Sequence, residues 1–200
     1  MVHGDDDGAV MPPRVAPTQI MMLPILKGEE DLDHDLVGYS GRIAAMLRGK
    51  GVRVHVDDRD LRNGDKIWDA VKKGIPVRVE IGPKEMADQT LTFIRRDKGK
   101  ESKTTLPIQE FVDMAADLMD TIHNDMYAKA KVMLRDNTHR IETVDGLDEF
   151  FKSGKIGFAD MPITVLDDPA IEDVKKAHGL SARCIPFDGN GERVIIGKSY

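Results

Sequence analysis

Asp57-Asp58-Arg59-Asp60 gathers three carboxylates and a guanidinium at the end of a strand-like segment, Val52 to Val56. Carboxylates at the C-terminal end of a strand often line the crevice of an α/β sheet, so this tip could be a metal or phosphate site. The same residues can instead pair with one another in a charged turn. A second candidate is Ile75-Pro76-Val77-Arg78-Val79-Glu80-Ile81, which mixes β-branched with ionised residues. Arg78 and Glu80 share a face, because side chains two apart on a strand point the same way. A charged stripe on an otherwise apolar strand suggests a surface that grips something polar. Around it Lys66, Lys72, Lys73, Arg78, Lys84, Arg95, Arg96, Lys98, Lys100 and Lys103 form a local excess of cations. That excess fits either a polyanion contact or a solvated face. Trp68 and Phe93 lie near the cationic zone and could each stack one base or fill a core.

Other chemistries are excluded. There is no Gly-x-Ser-x-Gly elbow, P-loop or dinucleotide fingerprint. The six histidines are scattered, and none pairs at metal-ligand spacing. The single cysteine, Cys184, excludes an internal disulfide framework and a Cys-rich zinc site, and fits a reducing cytoplasm. No apolar run is long enough to span a membrane, and the acidic N-terminus does not read as a signal peptide. A net charge of -6 argues against coating nucleic acid by bulk electrostatics, yet leaves room for a specific RNA contact through a local basic patch. Aromatic content of 5% argues against a broad base-stacking platform.

The elements that must position these residues follow from periodicity and punctuation. Residues 1–17 carry two turn-rich clusters, and Pro12 to Pro17 favours an extended, stiff connector. Thr18 to Leu26 is a continuous apolar strand buried on both faces. Asp33 to Lys50 has helical spacing and ends at Gly51. Val52 to Val56 is a buried second strand, Asn63 to Lys73 a helix capped by its first residue and closed by Gly74, and Ile75 to Ile81 a third strand. Gln89 to Arg95 and Lys103 to Leu106 flank Asp97-Lys98-Gly99-Lys100 as a hairpin; beside the third strand it would bring several cations to one edge. A long helix runs from about Ile108 to Asp136. Residues 138–200 read as a smaller α+β unit: helix Val144 to Ser153, strand Ile156 to Ala159, helix Pro169 to His178, and strands Ala182 to Pro186 and Arg193 to Ile196. The fold class is α/β, a mixed-sheet domain at 18–107, then a linking helix at 108–137 and the small α+β domain.

Several segments carry a resemblance. Val2-His3-Gly4-Asp5-Asp6, Pro12 to Pro17, Gly51 to Asp60, Gly74 to Pro83, Arg183-Cys184-Ile185-Pro186-Phe187 and Gly197-Lys198-Ser199-Tyr200 occur in the order found in prolyl-tRNA synthetases of the archaeal and eukaryotic type. The chain resembles the C-terminal part of that family across its whole length. The resemblance implies an anticodon-binding domain that reads the two guanines shared by proline anticodons, within an enzyme that attaches proline to its tRNA using ATP and Mg. It implies a class II catalytic core upstream of residue 1, so that this chain alone would bind tRNA without forming prolyl-adenylate. By position in the family pattern, Arg78, Lys84, Glu85 and Lys103 fall on anticodon contacts. Arginine and lysine can donate to guanine O6 and N7, and a carboxylate can accept from its N1 and N2 donors.

Two departures accompany the resemblance. Where relatives carry a stacking aromatic and a recognition carboxylate, Lys66-Ile67-Trp68-Asp69-Ala70-Val71 has Ile67 and Val71, leaving Trp68 or Asp69 to compensate. Where many relatives hold zinc with two Cys pairs, Val165 and Ala170 stand at the first pair and Asp188 to Glu192 is a shortened second loop, so no zinc is expected. Tyr200 resembles a C-terminal tyrosine whose carboxylate points toward the active site of the whole enzyme. The resemblance implies a cytoplasmic location, no membrane partner, a homodimer for the full-length enzyme and a monomer for this chain. The rival readings are a stand-alone synthetase-derived RNA-binding or regulatory module, and a small-molecule α/β enzyme using the Asp57–Asp60 tip.

Overall fold

The computed structural model describes residues 3–187 and 190–199. The chain divides into two compact units after Ala128. The first begins with a small antiparallel hairpin, β1 (Gly4–Asp5) and β2 (Gly8–Ala9). There follow β3 (Ile20–Pro24), α1 (Glu30–Gly49), β4 (Val54–Val56), α2 (Asn63–Lys72), β5 (Val77–Ile81), α3 (Pro83–Asp88), β6 (Thr90–Arg95), β7 (Thr104–Pro107) and α4 (Ile108–Asp136). The five-stranded sheet has the order β4-β3-β5-β6-β7. Strand β3 is parallel to β4 and β5, while β5–β6 and β6–β7 are antiparallel. This is the expected mixed α/β layer.

All five residues of β3 are buried. Ile20 and Met22 join Val77, Val79, Ile81, Leu91 and Phe93 in the main core, against Leu36, Ile43, Ala44 and Leu47 of α1 and Phe111, Val112 and Ala115 of α4. Met21 and Leu23 point the other way and meet Ala70 and Ile67 of α2 together with Ile75. A strand sandwiched between helices on both faces needs an unbroken apolar run, which is what Ile20 to Leu23 supplies.

Local differences from the sequence reading have physical causes. Strand β4 is not buried: it is a three-residue edge strand with His55 exposed. Asn63 does not cap α2, since its Nδ2 donates to the Leu26 carbonyl at 3.0 Å and Arg62 occupies the cap position without a side-chain bond. Helix α3 escaped notice because six residues are too few to show a period. The Gly4–Ala16 segment is fastened to the unit. Arg96 donates to both Asp5 oxygens at 2.6 and 2.5 Å, and Arg53 donates to the carbonyls of Pro13 and Ala16 at 2.7 and 3.0 Å. The Arg96 hydrogen bonds hold the Asp5 carboxyl down at about 2.

The second unit contains β8 (Thr138–Arg140), α5 (Val144–Lys152), β9 (Phe158–Pro162), a 3-10 turn at Ile163–Asp167, α6 (Ile171–His178), β10 (Leu180–Cys184) and β11 (Arg193–Lys198). Its sheet has the order β10-β11-β9-β8, with only β8–β9 parallel. Val144, Leu147, Phe151 and Ile171 from the helices pack on Ala159, Met161, Val194 and Ile196, giving the expected small α+β core. Strand β8 was not anticipated, because Thr-His-Arg has no apolar alternation. Strand β9 starts later than expected, after Gly157 turns at φ +127 and the Phe158 N–H reaches the Asn137 carbonyl at 2.7 Å.

Gly74 ties the hairpin to α2. It lies at φ +70, and a Cβ there would stand 2.6 Å from the carbonyl of Ala9. Gly74→Ala should therefore cost about 1–3 kcal/mol from the backbone conformation, with further loss from the displaced hairpin. Urea denaturation of the variant measures it, and an unchanged midpoint would mean the hairpin is not docked there.

Candidate nucleic-acid interface

The connections around β3 decide where a ligand can bind. From β3 the chain crosses through α1 to β4 on one side, then returns through α2 to β5 on the other. The two helices lie on opposite faces of the sheet, so the C-terminal ends of β3 and β5 flank a topological switch point. In open α/β sheets a crevice forms at such a point, because the chain leaves neighbouring strands in opposite directions. A cleft of about 400 Å³ occupies it. Ile25 and Lys27 line it after β3, and Gly82, Pro83, Lys84 and Glu85 line it after β5; Glu80, Thr92 and Lys103 complete it.

The cleft continues a polar half-face of the sheet. Helix α2 covers the face at Met21 and Leu23. Across β5, β6 and β7 that face carries Arg78, Glu80, Thr92, Thr105 and Lys103, with the buried Ile94 beside Arg78. The Cα register sets Arg78 beside Met21, Glu80 beside Leu23 and Thr92 beside Thr105. Glu80 accepts from Arg78 Nε at 3.3 Å and lies 3.6 Å from Lys103 Nζ. The hydroxyls of Thr92 and Thr105 share a hydrogen bond at 2.8 Å. Glu85 Oε2 accepts from the Gly82 N–H at 3.0 Å, fixing the first turn of α3.

Of the expected site residues, Lys84, Glu85 and Lys103 line the cleft, and Arg78 adjoins it through Glu80. Trp68 is on α2, 51% exposed, outside the lining residues of the cleft. Phe93 is core, its ring 5.1 Å from that of Phe111. Tyr200 lies outside the described residues, as do Asp188 and Gly189 of the shortened loop. Lys27 and Thr92, which the sequence does not single out, also belong to the cleft, as does Glu80, whose individual role the sequence leaves unassigned. Only Glu80 carried a signal, through its alternation with Arg78.

The wider set of cations does not converge on this cleft. Arg95 and Lys98 pair with Asp125 of α4, Arg96 with Asp5, and Lys73 with Asp69. Lys66 is 1% exposed and donates to the backbone carbonyl of Asp57 at 3.2 Å. The Asp57–Asp60 tip is a pairing turn. Arg59 forks onto Asp57 at 2.8 and 2.6 Å and reaches Asp69 at 2.8 Å, while Lys73 reaches Asp69 at 2.7 Å. Asp69 is thus held on both sides. Among the described residues no group of three or more His, Cys, Asp or Glu could hold a metal ion, and no helix is long and apolar enough to cross a membrane.

The family model of the anticodon binding domain matches residues 19–118. The chain belongs to the anticodon-binding-domain family. That match covers β3 to β7, the cleft and the first turns of α4. Among curated proteins, the chain is 34% identical to a proline–tRNA ligase of Protochlamydia amoebophila, over 96% of this chain and 40% of the relative. It is 38% identical to proline–tRNA ligase 2 of Clostridioides difficile, over 94% and 38%. The corresponding ligase of Thermococcus kodakarensis is 36% identical over 80% and 32%. The chain spans about two fifths of the length of the curated relatives it matches.

Within this anticodon-binding domain the charged turn has a stabilising part. The Asp57 carboxylate is 1% exposed and is held below its ordinary value of 3.8, chiefly by the Arg59 hydrogen bonds. A lowered native pKa means that its contribution is complete above the unfolded value and fades as pH falls through the native one. Asp57→Ala should cost about 2 kcal/mol at neutral pH, since it also leaves Lys66 without a nearby counter-charge. In urea melts the gap from wild type should narrow in acid; a pH-independent gap would contradict the assignment.

Proposed function

We propose that this chain is the anticodon-recognition portion of a proline–tRNA ligase and that its ligand is the anticodon loop of proline tRNA. The observation that carries the reading is the cleft at the switch point, inside the segment matched by the anticodon-binding-domain model and lined by Lys84, Glu85 and Lys103. Single-stranded loops expose base edges that paired RNA hides, and sequence is read there by hydrogen bonds from fixed side chains. A cleft holding lysines and carboxylates suits guanine, whose O6 and N7 accept while N1 and N2 donate. Trp68, exposed on α2, is the stacking candidate at a position where Ile67 and Val71 offer neither a ring nor a carboxylate. In this reading residues 18–107 recognise the anticodon and residues 138–200 form a zinc-less C-terminal domain.

In the whole enzyme this portion positions tRNA for ATP- and Mg-dependent transfer of proline, in the cytoplasm and within a homodimer. The chain by itself binds RNA as a monomer without forming prolyl-adenylate.

Binding of a labelled proline anticodon stem-loop tests the reading by fluorescence anisotropy. Arg78→Ala, Lys84→Ala and Lys103→Ala should each weaken binding by about tenfold, and replacing both guanines should do so more strongly. Equal affinity for the guanine loop and its adenine-substituted form would refute guanine recognition. Metal analysis of the purified chain should find no stoichiometric zinc; one zinc per chain would refute the zinc-less assignment.

A further inference from the structure

We propose that Glu80 is a specificity-determining carboxylate of the cleft, accepting from the adjacent N1–H and N2–H donors of an anticodon guanine. The inference rests on the anticodon-loop reading above and adds a fifth base reader to Arg78, Lys84, Glu85 and Lys103.

A carboxylate with free lone pairs can accept from both N1–H and N2–H of guanine. Two glutamates line the cleft, Glu80 and Glu85. Glu85 already spends Oε2 on the Gly82 N–H, and Asp69 is held by Arg59 and Lys73. Glu80 is differently placed. Its contacts to Arg78 and Lys103 are long, at 3.3 and 3.6 Å, and its side chain is 17% exposed. A carboxylate offers about four lone-pair sites, so two cation contacts leave room for two more donors.

Within the fold Glu80 serves as counter-charge to Arg78 and Lys103. Leu23, its neighbour across β3, is apolar, and placing a carboxylate on a largely buried strand costs desolvation that an aliphatic side chain would avoid. Arg78 and Lys103 offset that cost. The placement is also rigid: β5 is paired on both sides, with Leu23 at one flank and Thr92 at the other. A fixed acceptor beside fixed donors mirrors the guanine edge, where N1–H and N2–H lie next to O6. Adenine presents an acceptor at N1 and would meet the carboxylate with like polarity.

Anisotropy titrations of the 200-residue chain test this, with wild type and Glu80→Gln each measured against a guanine stem-loop and its inosine-substituted form. Inosine keeps N1–H and O6 and lacks the N2 amine. Wild type should prefer guanine over inosine by about tenfold, and Glu80→Gln should bind guanine about tenfold more weakly with that preference lost. Glu80→Gln that keeps the preference, whether its affinity is unchanged or lowered equally for both RNAs, overturns the role of Glu80. Wild type that binds guanine loops without favouring guanine over inosine overturns it as well, independently of how the variant folds. Wild type that does not distinguish guanine from adenine loops overturns the parent reading together with this one.

Discussion

The double-sided burial of β3 is the constraint from which the rest of the first unit follows. Ile20 and Met22 must be covered by one layer of helices, and Met21 and Leu23 by another. One helix therefore crosses to each face, which forces the neighbours of β3 to lie on opposite sides and opens a crevice where the chain parts. The cleft is a consequence of satisfying an apolar strand. The side chains that give it chemistry are carried on β5 and on the segments just beyond the strand ends, where the backbone is fixed by parallel and antiparallel ladders.

Helix α2 is short, and this matters as much as its presence. Its apolar contacts reach Met21, Leu23 and Ile75 and go no further along the sheet. Beyond the buried Ile94, the remaining half-face carries Arg78, Glu80, Thr92, Thr105 and Lys103, which can pair with one another or with a ligand. The opposite face is sealed by α1 and α4 over an apolar core, with Arg95 at its margin paired to Asp125 of α4. A sheet with one closed face and one half-open face is a rigid platform for recognition, and preorganised groups lose little freedom on binding.

Much of this was legible in the sequence. The unbroken run of β3, the alternation of β5 and the stripe of α4 each have a period strong enough to survive tertiary context. The site was partly legible: Arg78 with Glu80 stood out by alternation, whereas Lys84, Glu85 and Lys103 were singled out through family resemblance. Charge counting misled, because sequence proximity does not show which cation has an acid across the fold. Arg96 meets Asp5 and Arg95 meets Asp125, partners about 90 and 30 residues away. Lys66 is the sharpest case, a lysine on a polar-looking helix that the fold buries to 1% exposure because the end of β4 offers it a carbonyl and a carboxylate. At the Asp57–Asp60 tip, which looked chemical, the buried Asp57 is taken up by Arg59. No pattern in Thr138-His139-Arg140 announces β8, since its pairing with β9 is set by the partner strand.

The central claim is one of location: RNA is read on the half-open face at the switch point. Backbone amide chemical shifts of the chain, recorded as a proline anticodon stem-loop is added, test it most directly. The account predicts perturbations concentrated at residues 78–85, 92 and 103–105, with little change at Asp57, Arg59 and Asp69. Perturbations centred on the Asp57–Asp60 turn or on the second unit, with the cleft silent, would contradict it.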